Sequence, residues 1–255
     1  MLKKTLALLT AVTILSATFV GCSKGNEGSS KKYVIATDAT FAPFEYEKDG
    51  KYVGIDVEIL DAVAKSENFQ YELKPMNFKG IIPGITSNQI DGAIAGMSIT
   101  DERKKTLDFS DGYFNAGISI VVKADNNSIK SVDDLKGKIF AVKKGTAGSK
   151  YAEQVKDKYN ANIRYFDDSP SMFQEVINGN ADVNFEDYPV IAYKIATDST
   201  PSLKVVGDRL TKDTYGFAVN KGKNKELLDK FNAGLKKIKE NGEYDKILAK
   251  YIKNK

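Results

Sequence analysis

The sequence predicts an α/β protein of two lobes built on mostly parallel sheets. Apolar strand-like runs alternate with amphipathic helix-like runs from Tyr33 onward, the pattern of α/β architecture. The alternation starts afresh near residue 124, and the chain later returns with one strand and two helices, as a chain re-entering its first lobe does.

In order, YVIAT (33–37) reads as a strand, and GIDVEILDAVAKSENF (54–69) as a helix with Ile55, Ile59, Leu60 and Val63 on one face. YELKPM is a strand, IIPGITSNQ a short helix started by Pro83, IDGAIAGMSI a strand, and TDERKK the opening of a helix. AGISIVVKA (116–124) is a long apolar strand. The second run reads VDDLKG helix, KIFAVKKG strand, a polar helix from Ala147, IRYFDD strand, PSMFQEVINGN helix, ADVNFED strand, YPVIAYKIAT helix and LKVVGD strand. YGFAVNKG (215–222) is a further strand, and two helices close the chain, the first with Leu227, Leu228, Phe231 and Leu235.

The N-terminus sets the compartment. Residues 1–21 carry Lys3 and Lys4, an apolar stretch and small residues, the layout of a secretory signal peptide too short and polar-interrupted to read as a span. FVGC ends it at Cys22, the single cysteine, and resembles the lipobox of bacterial lipoproteins, with Phe19 where leucine is usual. That resemblance implies lipidation of Cys22 and anchoring at the outer face of the bacterial cytoplasmic membrane. Residues 22–32 lack apolar side chains after Cys22 and read as a flexible tether.

Removing Lys3 and Lys4 from the 38 basic residues leaves 36 against 34 acidic, so charge does not point to nucleic acid. Removing 21 residues from 255 leaves 234, enough for two lobes with cores and no disulfide. The chain has no histidine, the commonest general base and metal ligand. It also lacks a G-x-S-x-G elbow and an S-x-x-K pair. Neither catalysis nor a metal or cofactor is expected.

Ligands of open α/β sheets sit beyond the carboxyl ends of strands, and four such places carry candidate residues. TDATFAPF holds Asp38, Phe41 and Phe44 around a turn with Pro43. GMSITDERKK sets Gly96 and Ser98 at a strand end, Thr100 as an N-cap and Arg103 in the first helical turn. A cation there opposes the helix dipole, and its fork fits a carboxylate with two hydrogen bonds. VKKGTAGSKY puts Lys143 before a glycine-containing loop that misses the phosphate-loop spacing, although its backbone N–H groups suit a small anion. NFEDYPV ends an apolar run in Glu186 and Asp187. Its ordinary reading is that Asp187 caps the next helix and Glu186 is solvated.

Seven motifs (ATDATFAPFEY, YVGIDVEI, YELKPMNFKGIIPGI, AGMSITDERKKTLDFSDGYF, SVDDLKGK, AVKKGTAG and GEYDKI) are spread along the chain from Ala36 to Ile247. On them the chain resembles the polar amino-acid-binding proteins of ABC importers, bacterial solute-binding protein family 3, most of all the glutamine-binding ones. The resemblance implies a two-lobed periplasmic-binding-protein fold of type II, with two crossover strands as hinge and the ligand in the interlobe cleft. AGISIVVKA and YGFAVNKG would be the crossovers, giving lobe 1 as 33–119 with 216–255 and lobe 2 as 120–215. It also implies a monomer that binds a free L-amino acid and docks on a membrane permease.

By the same resemblance, Arg103 would grip the ligand α-carboxylate with Ser98 and the amide of Ala147, and Asp187 would pair with the α-ammonium alongside the Gly96 carbonyl. Phe41 and Phe78 would pack on the ligand stem, Asp38 and Lys143 would read a side-chain amide, and Thr146 would add a contact. Glu186 departs from the glutamine binders, which carry histidine there. Asp38, Glu186 and Asp187 against Arg103 and Lys143 give a net of −1, which disfavours an acidic ligand. Glutamine is the expected ligand, provided Glu186 bridges to Lys143 or points to solvent; arginine or another basic amino acid is the alternative. A dehydratase-type enzyme and a sensor module are the other functions this fold allows.

Overall fold

The apolar runs pair into two five-stranded sheets. The computed structural model describes residues 31–252; the leader, Cys22 and nearly all of the tether lie outside the described residues. One sheet orders its strands Gln70–Pro75, Lys32–Thr37, Gly92–Ala93, Ala218–Asn220 and Leu107–Phe109. The other orders Asn162–Phe166, Ile139–Lys143, Val183–Asp187, Ile118–Lys123 and Leu203–Val206.

Both sheets are mixed, which corrects the mostly parallel expectation. Two ladders in each are parallel and two antiparallel. The cause is one strand per sheet. Ile118–Lys123 and Ala218–Asn220 each arrive from the other sheet and run against both of their neighbours. The passages themselves are Phe114–Asn115 and Thr214–Tyr215, which pair antiparallel as a two-stranded ribbon. AGISIVVKA therefore lies mostly within the second sheet, just beyond its crossing.

Among the described residues there are seven α-helices. Helix Ile55–Ser66 buries Ile55, Ile59, Leu60 and Val63 as its periodicity requires, and helix Lys225–Glu240 meets it with Leu227, Phe231 and Leu235. Phe217 of the returning segment stacks on Phe231 with ring centroids 4.4 Å apart. In the second lobe Phe140, Val142, Val183 and Phe185 pack under helix Ala147–Tyr159.

Three helix expectations change. Pro83 lies inside helix Phe78–Thr86 and does not start it, because the helix begins where Phe78 and Ile81 first face the core. TDERKK forms only the 3-10 turn Arg103–Lys105, and VDDLKG only Val132–Leu135, since neither has enough apolar face to extend.

Candidate functional site

Parallel pairing brings the strand ends named above to one edge of each sheet. Strand Lys32–Thr37 ends before Asp38, Ile139–Lys143 ends in Lys143, and Val183–Asp187 ends in Glu186 and Asp187. Phe41, Phe78, Gly96, Ser98, Arg103, Lys143, Thr146, Ala147 and Asp187 line a single cavity of about 10 Å³. Asp38 reaches it through Lys143, with which it forms a buried ion pair, and Glu186 adjoins it through Asp187. A cavity of that size holds about one water, so entry of anything larger requires the lobes to part around the two crossings.

Each end of the site is held by specific bonds. Arg103, 8% exposed, donates from Nη1 to the Ser98 carbonyl at 2.7 Å and from Nη2 to the Gly145 carbonyl at 3.0 Å. The second bond crosses between lobes. A guanidinium has five N–H donors, so a carboxylate can still be gripped. Arg103 N–H in turn donates to Thr100 Oγ1 at 3.2 Å, although the N-cap of the short turn is Glu102 and not Thr100 as expected. Burial lowers the Arg103 pKa, and Asp187 and Asp213 counter that. Thr146 caps helix Ala147–Tyr159 by accepting from Ser149 N–H at 3.1 Å, which puts the amide of Ala147 in the first turn of a helix N-terminus that favours anions.

Asp38 Oδ1 accepts from the N–H groups of Ala39 and Thr40 at 2.7 and 3.1 Å and from Thr40 Oγ1 at 3.1 Å. Its other oxygen takes Lys143. The Lys143 ammonium lies 4.7 Å from the Phe41 ring centroid and 5.8 Å from that of Phe78, and the Arg103 guanidinium lies 5.4 Å from Phe78. Two aromatic faces thus flank the cleft and favour cations.

Asp187 and Glu186 do not follow the ordinary capping reading. Asp187 stands at the N-cap of helix Tyr188–Thr197, yet its side chain makes no cap bond. Its Oδ2 accepts from the Tyr215 hydroxyl at 2.7 Å. Burial raises its pKa to about 6, against the pull of Tyr215, Arg103 and Lys143. Glu186 is 5% exposed, and its Oε1 accepts from Asp187 N–H at 2.9 Å. Neither its buried Oε2 nor the buried Ser169 Oγ has a partner in full hydrogen-bond geometry among the described residues, yet the Ser169 hydroxyl lies close enough to lower the Glu186 pKa. Burial and Asp187 together raise Glu186 to about 7. The glutamine expectation required Glu186 to bridge Lys143 or face solvent; among the described residues Lys143 pairs with Asp38, and Glu186 is buried.

Gly96 has φ +52°, and a Cβ there would stand 2.5 Å from the Phe41 ring, so only glycine suits this turn. Its N–H donates to Asp56 Oδ2 at 2.7 Å. Tyr215, Asp213, Asp56 and Glu45 were not among the sequence candidates. Asp56 had a visible signal, an acid at i with Ile59, Leu60 and Val63 at i+3, i+4 and i+7 on the apolar face. Glu45 follows Phe44 in a run read only as a turn, and Tyr215 lies in a segment read only as a strand.

The family model for bacterial extracellular solute-binding proteins, family 3, matches residues 33–254. The arginine-binding extracellular protein ArtP of Bacillus subtilis (strain 168) is 34% identical over 255 residues, covering 98% of each chain. An ancestral arginine-binding protein solved with arginine superposes with a TM-score of 0.82 at 42% identity, covering 87% of this chain and 98% of that one. The same description bound to glutamine gives 0.80 at 42% identity over 87% and 97%.

Proposed function

This chain belongs to the bacterial extracellular solute-binding proteins, family 3, and on that premise we propose that it binds a free basic L-amino acid, arginine first, for delivery to the permease of an ABC importer. Arg103 grips the α-carboxylate with the Ala147 amide, and Asp187 takes the α-ammonium beside the Gly96 carbonyl. The observation that carries the basic side chain is Glu186, whose buried carboxylate forms no ion pair among the described residues and has only the Ser169 hydroxyl and the Asp187 N–H as neutral donors near it. A guanidinium or ammonium supplies both the donor and the charge that a buried carboxylate needs. With Arg103 and Asp187 engaged by the zwitterion and Lys143 by Asp38, Glu186 is the charge left over. Relatives described as arginine-binding support this reading.

Glutamine is the second reading, because the Asp38–Lys143 pair offers one acceptor and one donor to an amide and a similar protein was solved with glutamine bound. Thermal denaturation of the purified protein against the twenty amino acids decides, since a ligand that binds only the folded form raises its stability. A larger shift with arginine than with glutamine supports the proposal, and the reverse order overturns it. Recovery of the ligand unchanged by mass spectrometry supports a binding role; a product would move the chain to the enzyme reading.

We also propose that Cys22 carries the lipid that holds the exported protein at the membrane. Cys22→Ser should release it from membranes into the medium, and retention would remove the anchor.

A further inference from the structure

Behind the Gly96 turn lie two carboxyl groups that do not line the cavity. Glu45 and Asp56 are both fully buried. Asp56 Oδ2 accepts twice at 2.7 Å, from Gly96 N–H and from the Tyr113 hydroxyl. Asp56 Oδ1 and both oxygens of Glu45 have no donor among the described residues. Three buried acceptors without a donor are unfavourable, and two charged carboxylates side by side are more so. The titratable groups that face the pair are Asp38 from the neighbouring strand end, Lys143 from the other lobe, Tyr113 ahead of the first crossing and Tyr244 from the C-terminal helix. Lys143 is already the partner of Asp38.

We propose that Glu45 and Asp56 share one proton, carried on Glu45 and donated to Asp56 Oδ1, and that the pair so formed positions the Gly96 turn facing the ligand's ammonium group. The shared proton turns one stranded acceptor into a donor and leaves one negative charge, which the Gly96 and Tyr113 donors hold. Burial and the Asp56 charge push Glu45 well above the carboxylate range, while burial raises Asp56 to about 6 against hydrogen bonds from Tyr113, Gly96 and Glu45, in keeping with a single proton retained on Glu45. Tyr113 connects the pair to the hinge, because its N–H donates to the Tyr215 carbonyl at 2.9 Å. Glu45 and Asp56 are thus positioning residues. The proposal rests on the amino-acid-binding reading and is indifferent to which side chain the ligand carries.

Infrared spectra and binding titrations of the full protein test it together. The protonated-carboxyl band should persist above pH 7 in ligand-free protein and vanish in Glu45→Gln; its absence in the native protein overturns the shared proton. Asp56→Ala should weaken arginine and glutamine by the same factor, about tenfold for one lost hydrogen bond to a charged group, while Asp56→Asn, which still accepts from Gly96, stays near native. Unchanged affinities in Asp56→Ala, or a change for one ligand only, overturn the positioning role. Should Asp56→Ala fail to fold, the melting temperature against pH decides: its decline toward alkaline pH should be shallower in Glu45→Gln, and equal slopes overturn the proposal. An intact infrared band with no response to any amino acid would instead count against the amino-acid-binding reading itself.

Discussion

The Tyr215 hydroxyl donates to Asp187 Oδ2 at 2.7 Å, tying a hinge residue to the carboxylate proposed to hold the ligand ammonium. Both groups are buried, and Tyr215 is the largest influence lowering the Asp187 pKa. Tyr215→Phe should leave the ring packing among Phe41, Phe44 and Phe114 in place. It should weaken every amino acid by about tenfold or more, from the ~1.5 kcal/mol or more of a hydrogen bond to a charged group. The loss should be largest near pH 6, where Asp187 without Tyr215 stays protonated. Calorimetric titration from pH 6 to 8 measures it.

Arg103→Lys should fail almost as fully as Arg103→Ala. The guanidinium spends two nitrogens on the Ser98 and Gly145 carbonyls and keeps further N–H groups for a carboxylate. A lysine ammonium has three donors and no flat fork, so it cannot hold both carbonyls and still grip two oxygens. Truncating a buried, hydrogen-bonded charge costs about 2–5 kcal/mol of binding, and all amino acids should lose affinity together. Retained tight binding by Arg103→Lys would show that the carboxylate sits elsewhere.

Strand ends were legible in the sequence because periodicity locates strands and α/β sheets bind at their carboxyl ends. Lys143, Asp187 and Arg103 stood at such ends and came together in one cavity. Partner choice was not legible. Lys143 could have met Glu186 or Asp38, and only the packing of two strand ends from different sheets decides for Asp38. Sheet direction also escaped, because the antiparallel ladders come from strands that change sheets, and local pattern carries no record of where a strand arrives from. Asp56 was overlooked although it broke an apolar face; an acid there signals a buried partner, here Gly96 and Tyr113.

Lys143→Gln should separate stability from selectivity. Removing one partner of a buried ion pair leaves Asp38 uncompensated, at a cost of about 3 kcal/mol. At about 2–4 °C per kcal/mol for a chain of this size, the ligand-free melting temperature should drop by several degrees. The same change removes a positive charge near a cationic side chain and replaces the charged donor to a neutral amide by a weaker, uncharged one. Arginine should therefore gain on glutamine, by about tenfold for one hydrogen bond and its repulsion. Parallel losses for both ligands would place Lys143 outside the side-chain pocket.

Glu186 should make stability and arginine affinity run in opposite directions with pH. In the ligand-free fold, burial raises Glu186 to about 7 and Asp187 to about 6, both above their ordinary carboxylate values. A raised carboxyl pKa gives stability that is complete below the unfolded value and is lost as pH climbs through the folded one. The ligand-free melting temperature should accordingly fall from pH 5 to pH 8. A cationic side chain requires ionised Glu186, so arginine affinity should rise across the same interval, and arginine should protect most where the free protein is weakest. Glu186→Gln should flatten the upper part of both curves and weaken arginine by about tenfold or more while sparing glutamine. An arginine affinity that stays level in the native protein from pH 6 to pH 8 would show that Glu186 does not face the ligand's side chain.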